Sequence, residues 1–272
     1  MKRNMTTILL FVVLFVGLAL LLYPSVSDFY NSFHQSRAVA TYNTVVEQES
    51  KKDYEADWAA ANAYNEKLRA QSTVDRLIMT DEEREEYDAV MNVGGSGIIG
   101  VIEIPQIAVT LPLYHSTIEG TSLPTGEPGT HSAFSAHRGL PSAKLFTNLD
   151  QLTYGDTFTL RVLDKVLTYE IDQILIVEPH DVSALQIYDG MDLCTLVTCT
   201  PYGINSHRLL VRGHRVETSL AQLSVRISAD ALVIDPYIVA PIVAAPMLLI
   251  LLILMLVTTS PKHKKRKGAE RS

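Results

Sequence analysis

The residues able to do chemistry gather in a few short stretches. Cys199 ends a β-rich run, Thr195-Leu196-Val197-Thr198-Cys199, and Thr200-Pro201-Tyr202-Gly203 opens a loop behind it. A thiol at the end of a strand is held rigidly yet faces loops, which is where a nucleophile is useful. His137 has the same layout. It closes Ala133-Phe134-Ser135-Ala136, and Arg138-Gly139 turns the chain away. A thiol and an imidazole at neighbouring strand ends can form an acid–base pair. Arg208 begins the strand that follows the Cys199 loop. Two antiparallel strands joined by that loop would set Arg208 beside the thiol. A guanidinium there donates two hydrogen bonds to a developing oxyanion and cannot lose its charge. Arg212, on the same strand face, is the second choice.

Each assignment has a plain alternative. Position alone leaves Cys199 open between a nucleophile and a buried core thiol. Cys194, between Leu193 and Leu196, fits the core role. A lone arginine is usually a solvated surface residue. His34 falls in a helical segment and His263 in a basic tail, while His115, His131, His180, His207 and His214 have polar neighbours. A metal site from His115, His131, His137 and Cys199 is not expected, because no H-x-x-x-H or C-x-x-C spacing occurs. No cofactor is called for. Cys194 and Cys199 are the only cysteines. Their odd offset on one strand turns them to opposite faces, so they cannot easily pair. At least one free thiol is expected.

The elements that must hold these residues read as follows. Residues 28–70 are rich in Ala, Glu, Lys and Gln and lack Gly and Pro, which favours helix. Val39, Tyr42, Val45 and Val46 recur at helical spacing, as do Trp58, Ala61, Tyr64 and Leu68, so two helices are expected to pack outside the domain. Residues 71–80 look extended or loose. Thr80 with Glu83 makes a capping box that opens a short acidic helix, closed by Asn92 to Gly97. From Ile98 the pattern turns to strands: Ile98–Ile104, Val109–Leu111, Ser132–Ala136, Thr157–Val162, Val166–Tyr169, Gln173–Val177, Leu193–Cys199 and Arg208–Arg212. Asp164-Lys165 is a hairpin-turn candidate. Many short strands between turns point to a closed barrel or a sandwich.

Two apolar runs frame this region, Ile8–Leu22 and Tyr237–Val257. Each approaches the roughly 20 apolar residues that cross a bilayer core. Lys2 and Arg3 precede the first, and Lys262, Lys264, Lys265, Arg266, Lys267 and Arg271 follow the second, which puts both ends on the cytoplasmic side and the middle outside. The first run reads as a retained anchor, with Ser25-Val26-Ser27 offering a signal-cleavage alternative. The tail also suits contact with anionic membrane lipid. The chain has 272 residues and a formal net charge of −7, although both of its ends are basic. The middle is therefore strongly acidic, which argues against nucleic acid as a partner.

Three stretches resemble the class C sortases, the pilin polymerases. They are the run from Thr195 to Gly213, Glu119-Gly120-Thr121-Ser122-Leu123-Pro124, and the run from Thr130 to Phe146. The resemblance extends from about Tyr64 to Arg215, and two anchors match the layout of that class. It implies a mainly β fold, a sortase-type eight-stranded β-barrel with helices outside and a membrane helix at each end. The organisation then runs as anchor or signal segment 1–27, helical region 28–70, lid-like segment and short helix 71–97, catalytic barrel 98–217, linker 218–236, transmembrane helix 237–257 and cytoplasmic tail 258–272. The implied activity is cleavage of LPxTG-like sorting signals of pilin precursors. The pilin is held as a thioester on Cys199 and passed to an acceptor pilin lysine on the extracellular face of the cell membrane. His137 would be the general acid and base, and Arg208 the oxyanion and substrate-positioning group.

Two departures from the class stand out. Its lid usually carries an Asp-Pro-aromatic motif, and the corresponding place here reads Asp75-Arg76-Leu77. Loss of proline removes a rigid kink, and leucine cannot stack as a ring does. The stretch from Tyr114 to Thr117 also runs almost directly into Ile118-Glu119-Gly120, where the class has roughly a dozen more residues. A housekeeping cell-wall sortase, a cysteine hydrolase with water as acceptor, and a catalytically impaired scaffold that binds pilins are the competing functions.

Overall fold

The computed structural model describes residues 2–49, 54–76, 78–115 and 120–219, with positions 245, 249 and 253. Leu77, the shortened stretch around Thr117 and nearly all of the second apolar run lie outside the described residues. The sheet lies in a compact unit, Asn31–Asp230, and Met1–Tyr30 belongs to a second unit.

Four α-helices lead the chain: α1 (Lys2–Gln48), α2 (Glu55–Arg69), α3 (Thr73–Arg76) and α4 (Asp81–Ala89). α1 carries the apolar run, and among the described residues it is the helix long and apolar enough to cross a membrane. Further along it, Val39 and Tyr42 are buried in the sheet's core and Val45 and Val46 pack against that core. α2 has Glu55 and Asp57 in its first turn and Lys67 and Arg69 in its last, which complements the helix dipole. Its buried stripe is Trp58, Ala61, Tyr64, Asn65 and Leu68, the expected face with Asn65 added. Trp58 Nε1–H donates to Asp164 Oδ1 at 2.9 Å, and the Lys165 ammonium lies 4.0 Å from the centre of its ring. α3 replaces the extended or loose chain expected over residues 71–80 with helix at Thr73–Arg76. α4 opens with the Thr80–Glu83 capping box.

Seven strands follow: β1 (Ile98–Ile104), β2 (Val109–Tyr114), β3 (Thr130–Ser135), β4 (Thr157–Val162), β5 (Lys165–Val177), β6 (Asp192–Thr200) and β7 (His207–Val216). They form one sheet in the order β2-β1-β4-β5-β7-β6-β3. Neighbours are antiparallel except β3 and β6, which run parallel. The count of eight expected strands is corrected to seven among the described residues. The stretches Val166–Tyr169 and Gln173–Val177 are one strand. A bulge between Ile171 and Gln173 lets β5 stay paired to β7 on both sides of it. The β4–β5 turn is also shifted. Val162 pairs with Lys165, so Leu163 and Asp164 make the turn. Tyr42 holds it there, its hydroxyl accepting from Leu163 N–H at 2.9 Å and donating to Ile99 O at 3.0 Å.

β2 and β3 are the sheet's two edges among the described residues, so in place of the closed barrel the strands form a curled seven-stranded sheet, a half-barrel. Residues of all seven strands nevertheless share one apolar core with α1 and α2, and every residue of β1 is buried. Ile102, Leu149, Phe158 and Leu160 are fully enclosed. Each such side chain stabilises the fold by about 1.5–3 kcal/mol. A smaller cluster of Ala133, Leu185, Val197 and Leu210 lies on the opposite face of β3, β6 and β7.

Candidate active site

The register of three strands brings the chemistry-bearing residues together. β6 and β7 are antiparallel with Cys199 opposite Arg208. Directly opposed residues in such a pair point to the same side of the sheet. β3 and β6 are parallel and pair Thr130 with Asp192 through to Ser135 with Val197, a constant sequence offset. That offset continues beyond the ladder. Ala136 N–H donates to Val197 O at 3.1 Å, and Thr198 Oγ1 donates to Ala136 O at 2.8 Å. The same offset sets His137 level with Cys199. Side chains alternate along a strand, so Cys199 and Arg208 share the face that also carries Val197 and Leu210, and His137 lies two residues beyond the last β3 rung at Ser135. His137 is exposed, and Cys199 and Arg208 are half-buried.

The remaining candidates are placed elsewhere. Cys194 pairs with Gly213 on the core face and is fully buried, and both cysteines are free thiols. Burial pushes the Cys194 thiol well above its ordinary value, which makes it inert. Arg212 is opposite Thr195, further along β7, and is bound to Asp172. Arg208 Nη1 donates to the backbone oxygens of Asn205 and His207 at 3.3 and 3.1 Å, which holds the guanidinium over the loop that links its strand to Cys199.

His115 and His131 have other partners. His131 Nδ1 donates to Gln186 O at 2.8 Å, and its Nε2 accepts from Thr195 Oγ1 at 2.7 Å. A carbonyl can only accept, so this pairing fixes the neutral tautomer. Burial lowers its pKa to about 4. His115 turns both ring nitrogens to the carbonyls of Val90 and Gly97, at 2.6 and 3.3 Å.

The lid-like segment is held by a residue the sequence did not single out. Arg76 of α3 is buried, and its Nη2 donates to Leu185 O at 2.5 Å. Leu185 belongs to the small cluster with Val197 and Leu210, so α3 is tied over the candidate site's face. Asp75 is exposed, and its carboxylate accepts from Ser72 Oγ at 2.6 Å. Among the described residues it makes no hydrogen bond to Arg208, and Leu77 is not described.

Arg138 was also missed. Only 9% of its side chain is exposed, and it ion-pairs with Asp150. A buried arginine in a loop leaves no trace in composition or periodicity. Its one visible signal was its place beside His137.

Residues 102–216 match the family model of the sortase domain. Among solved structures the chain is similar to sortase C1 of Streptococcus agalactiae, with 43% identity and a TM-score of 0.63, over 67% of this chain and 100% of that one. It is similar to sortase C of Streptococcus pneumoniae, with 40% identity and a TM-score of 0.57, over 67% and 97%. It is also similar to Clostridium perfringens sortase C, solved with a C-terminal cell wall sorting motif, with 34% identity and a TM-score of 0.53, over 67% and 99%. No curated protein matches. The sheet, its parallel β3–β6 edge and these likenesses together define the class of protein: the chain belongs to the sortase family, and within it to the class C sortases. It is a cysteine transpeptidase with an apolar N-terminal helix suited to a membrane anchor.

Proposed function

We propose that this transpeptidase cleaves LPxTG-like sorting signals of pilin precursors and joins each pilin to a lysine of the next, on the outer face of the membrane. One observation carries the reading. The β6–β7 register sets the Cys199 thiol opposite the Arg208 guanidinium, and the His137 imidazole follows two residues after the β3 ladder that pairs with β6.

The chemistry follows from that arrangement. The Cys199 thiol passes its proton to His137 as Sγ attacks the threonine carbonyl of the sorting signal, and the carbonyl oxygen takes the negative charge. Arg208 donates hydrogen bonds to that oxygen. As the carbon–nitrogen bond breaks, His137 protonates the departing glycine amine, leaving a thioester. The lysine amine then attacks the thioester carbonyl, His137 takes its proton, and the thiolate leaves as the new amide forms. Pilus-related relatives and the relative solved with a sorting motif support this substrate class.

The full chain in detergent micelles, incubated with a sorting-signal peptide, is expected to gain the mass of the acyl fragment as a thioester. Cys199→Ala should abolish the adduct while the protein stays folded. Adding lysine-bearing pilin should discharge the thioester into an amide. Discharge by glycine peptides alone would point to cell-wall anchoring, and discharge by water alone to a hydrolase. An adduct that persists in Cys199→Ala would sink the reading.

A further inference from the structure

The parallel pair of β3 and β6 holds its sequence offset past its last ladder rung. Ala136 is linked to Thr198 by the threonine hydroxyl at 2.8 Å, an offset of 62 residues. Two residues on, Arg138 Nη1 donates to Thr200 Oγ1 at 3.1 Å, again an offset of 62. His137 and Cys199 stand at that same offset, between the two links. Both links lie on the core side of the sheet, because side chains alternate and Cys194, Leu196 and Phe134 on that side belong to the main core. The Cys199 thiol points the other way.

Arg138 is built for the task. Its guanidinium reaches three separate segments: Thr200 at the end of β6, Thr147 O at 3.1 Å through Nε, and the Asp150 carboxylate through Nη2. The planar fork of an arginine can satisfy three such partners at once, and an ammonium cannot. Two further bonds close the same loop on itself. Phe146 N–H donates to His137 O at 3.2 Å, and Gly139 N–H donates to Thr147 Oγ1 at 3.3 Å. The hydrogen bond from Arg138 to Thr200 ties the chain beyond Ala136 to the end of β6, and His137 lies between that link and the one at Ala136.

We propose that Arg138 is a positioning residue: it locks the His137 loop to the end of β6 and so keeps the imidazole level with the Cys199 thiol. It touches neither substrate nor thiol, and acts through His137 from behind the sheet. The inference rests on the proposed pairing of His137 with Cys199.

The test uses the full chain in detergent micelles. It measures the pH profile of Cys199 alkylation by iodoacetamide, and kcat and KM on a sorting-signal peptide. His137→Ala sets the limit of a thiol without its partner. Arg138→Ala is expected to move the alkylation profile toward that of His137→Ala. It should lower kcat by about tenfold to a hundredfold and leave KM nearly unchanged, since misplacing a reacting group by about an ångström costs on that order. Arg138→Lys should recover only part of the loss. Thr200→Val removes one acceptor at nearly constant shape and serves if Arg138→Ala does not fold. It should give a smaller change in the same direction. A wild-type profile in Arg138→Ala, or in folded Thr200→Val, with His137→Ala shifted, would overturn the positioning role and leave the pairing intact. An unshifted His137→Ala would overturn both.

Discussion

Asp172 stands in the bulge of β5 and grips Arg212 with both oxygens, Nε to Oδ1 at 2.9 Å and Nη2 to Oδ2 at 3.1 Å. A two-pronged pair of this kind fixes the guanidinium in place. Arg208, four residues earlier on the same face, has no carboxylate partner among the described residues and is bonded only to backbone oxygens of its own loop.

The two arginines should therefore separate cleanly when truncated. Arg208→Ala is expected to slow acylation by roughly a hundredfold or more, the scale of a lost oxyanion donor, with little change in unfolding midpoint. Arg212→Ala should instead cost about 1–3 kcal/mol of stability by leaving Asp172 short of its donors, with the rate nearly kept. Single-turnover kinetics and denaturant melts of both variants decide the matter, and the opposite pattern would reassign the oxyanion role to Arg212.

Asn65 on α2 clamps the backbone of Leu123 from both sides. Its Nδ2 donates to Leu123 O at 2.9 Å, and its Oδ1 accepts from Leu123 N–H at 2.8 Å. All of these groups are buried, so Asn65→Ala orphans a donor and an acceptor together. A loss of about 2–4 kcal/mol is expected. Unfolding can be followed by the fluorescence of Trp58, the chain's single tryptophan. A loss below about 1 kcal/mol would mean that the clamp is dispensable.

Arg76 is buried, with Nε and Nη1 lacking a hydrogen-bond partner among the described residues, and burial lowers its affinity for its proton. Replacing a poorly satisfied buried charge by an apolar group of similar size is often neutral or stabilising. Arg76→Met should leave stability unchanged or raise it, while loosening α3 from Leu185 O. Faster alkylation of Cys199 in this variant would accompany that loosening. A stability loss above about 2 kcal/mol in melts would show that the guanidinium is well satisfied after all.

Two buried groups oppose each other in acid. Burial raises the pKa of Asp192 from 3.8 to about 6, despite donors from Thr130 and Tyr169. The folded state then holds this proton more tightly than the unfolded chain, so its contribution to stability falls as pH rises from 3.8 to about 6. Burial lowers the pKa of His131 from 6.5 to about 4, so the unfolded chain binds that proton more tightly. Its contribution is lost as pH falls from 6.5 to about 4. Each shift corresponds to about 3 kcal/mol, so the two slopes largely cancel. Asp192→Asn should expose the His131 slope, with stability falling more steeply in acid than in wild type. Denaturant melts across that window check the sign, and equal slopes in both proteins would remove Asp192 from the account.

Local chemistry made much of this protein legible from its residues alone. The buried stripe of α2, the capping box of α4 and the β-rich runs all depend on neighbours a few residues away. Tertiary structure decided the rest, because it depends on partners far apart in the chain. The bulge at Asp172 exists because β5 must follow β7 across its whole length, which merged two expected strands. Leu163 turns the β4–β5 hairpin because Tyr42 of a distant helix takes its amide. Arg138 matters because a constant offset of 62 residues carries it to Thr200. Periodicity reports which face of an element is apolar. Only the register of paired strands says which residues meet.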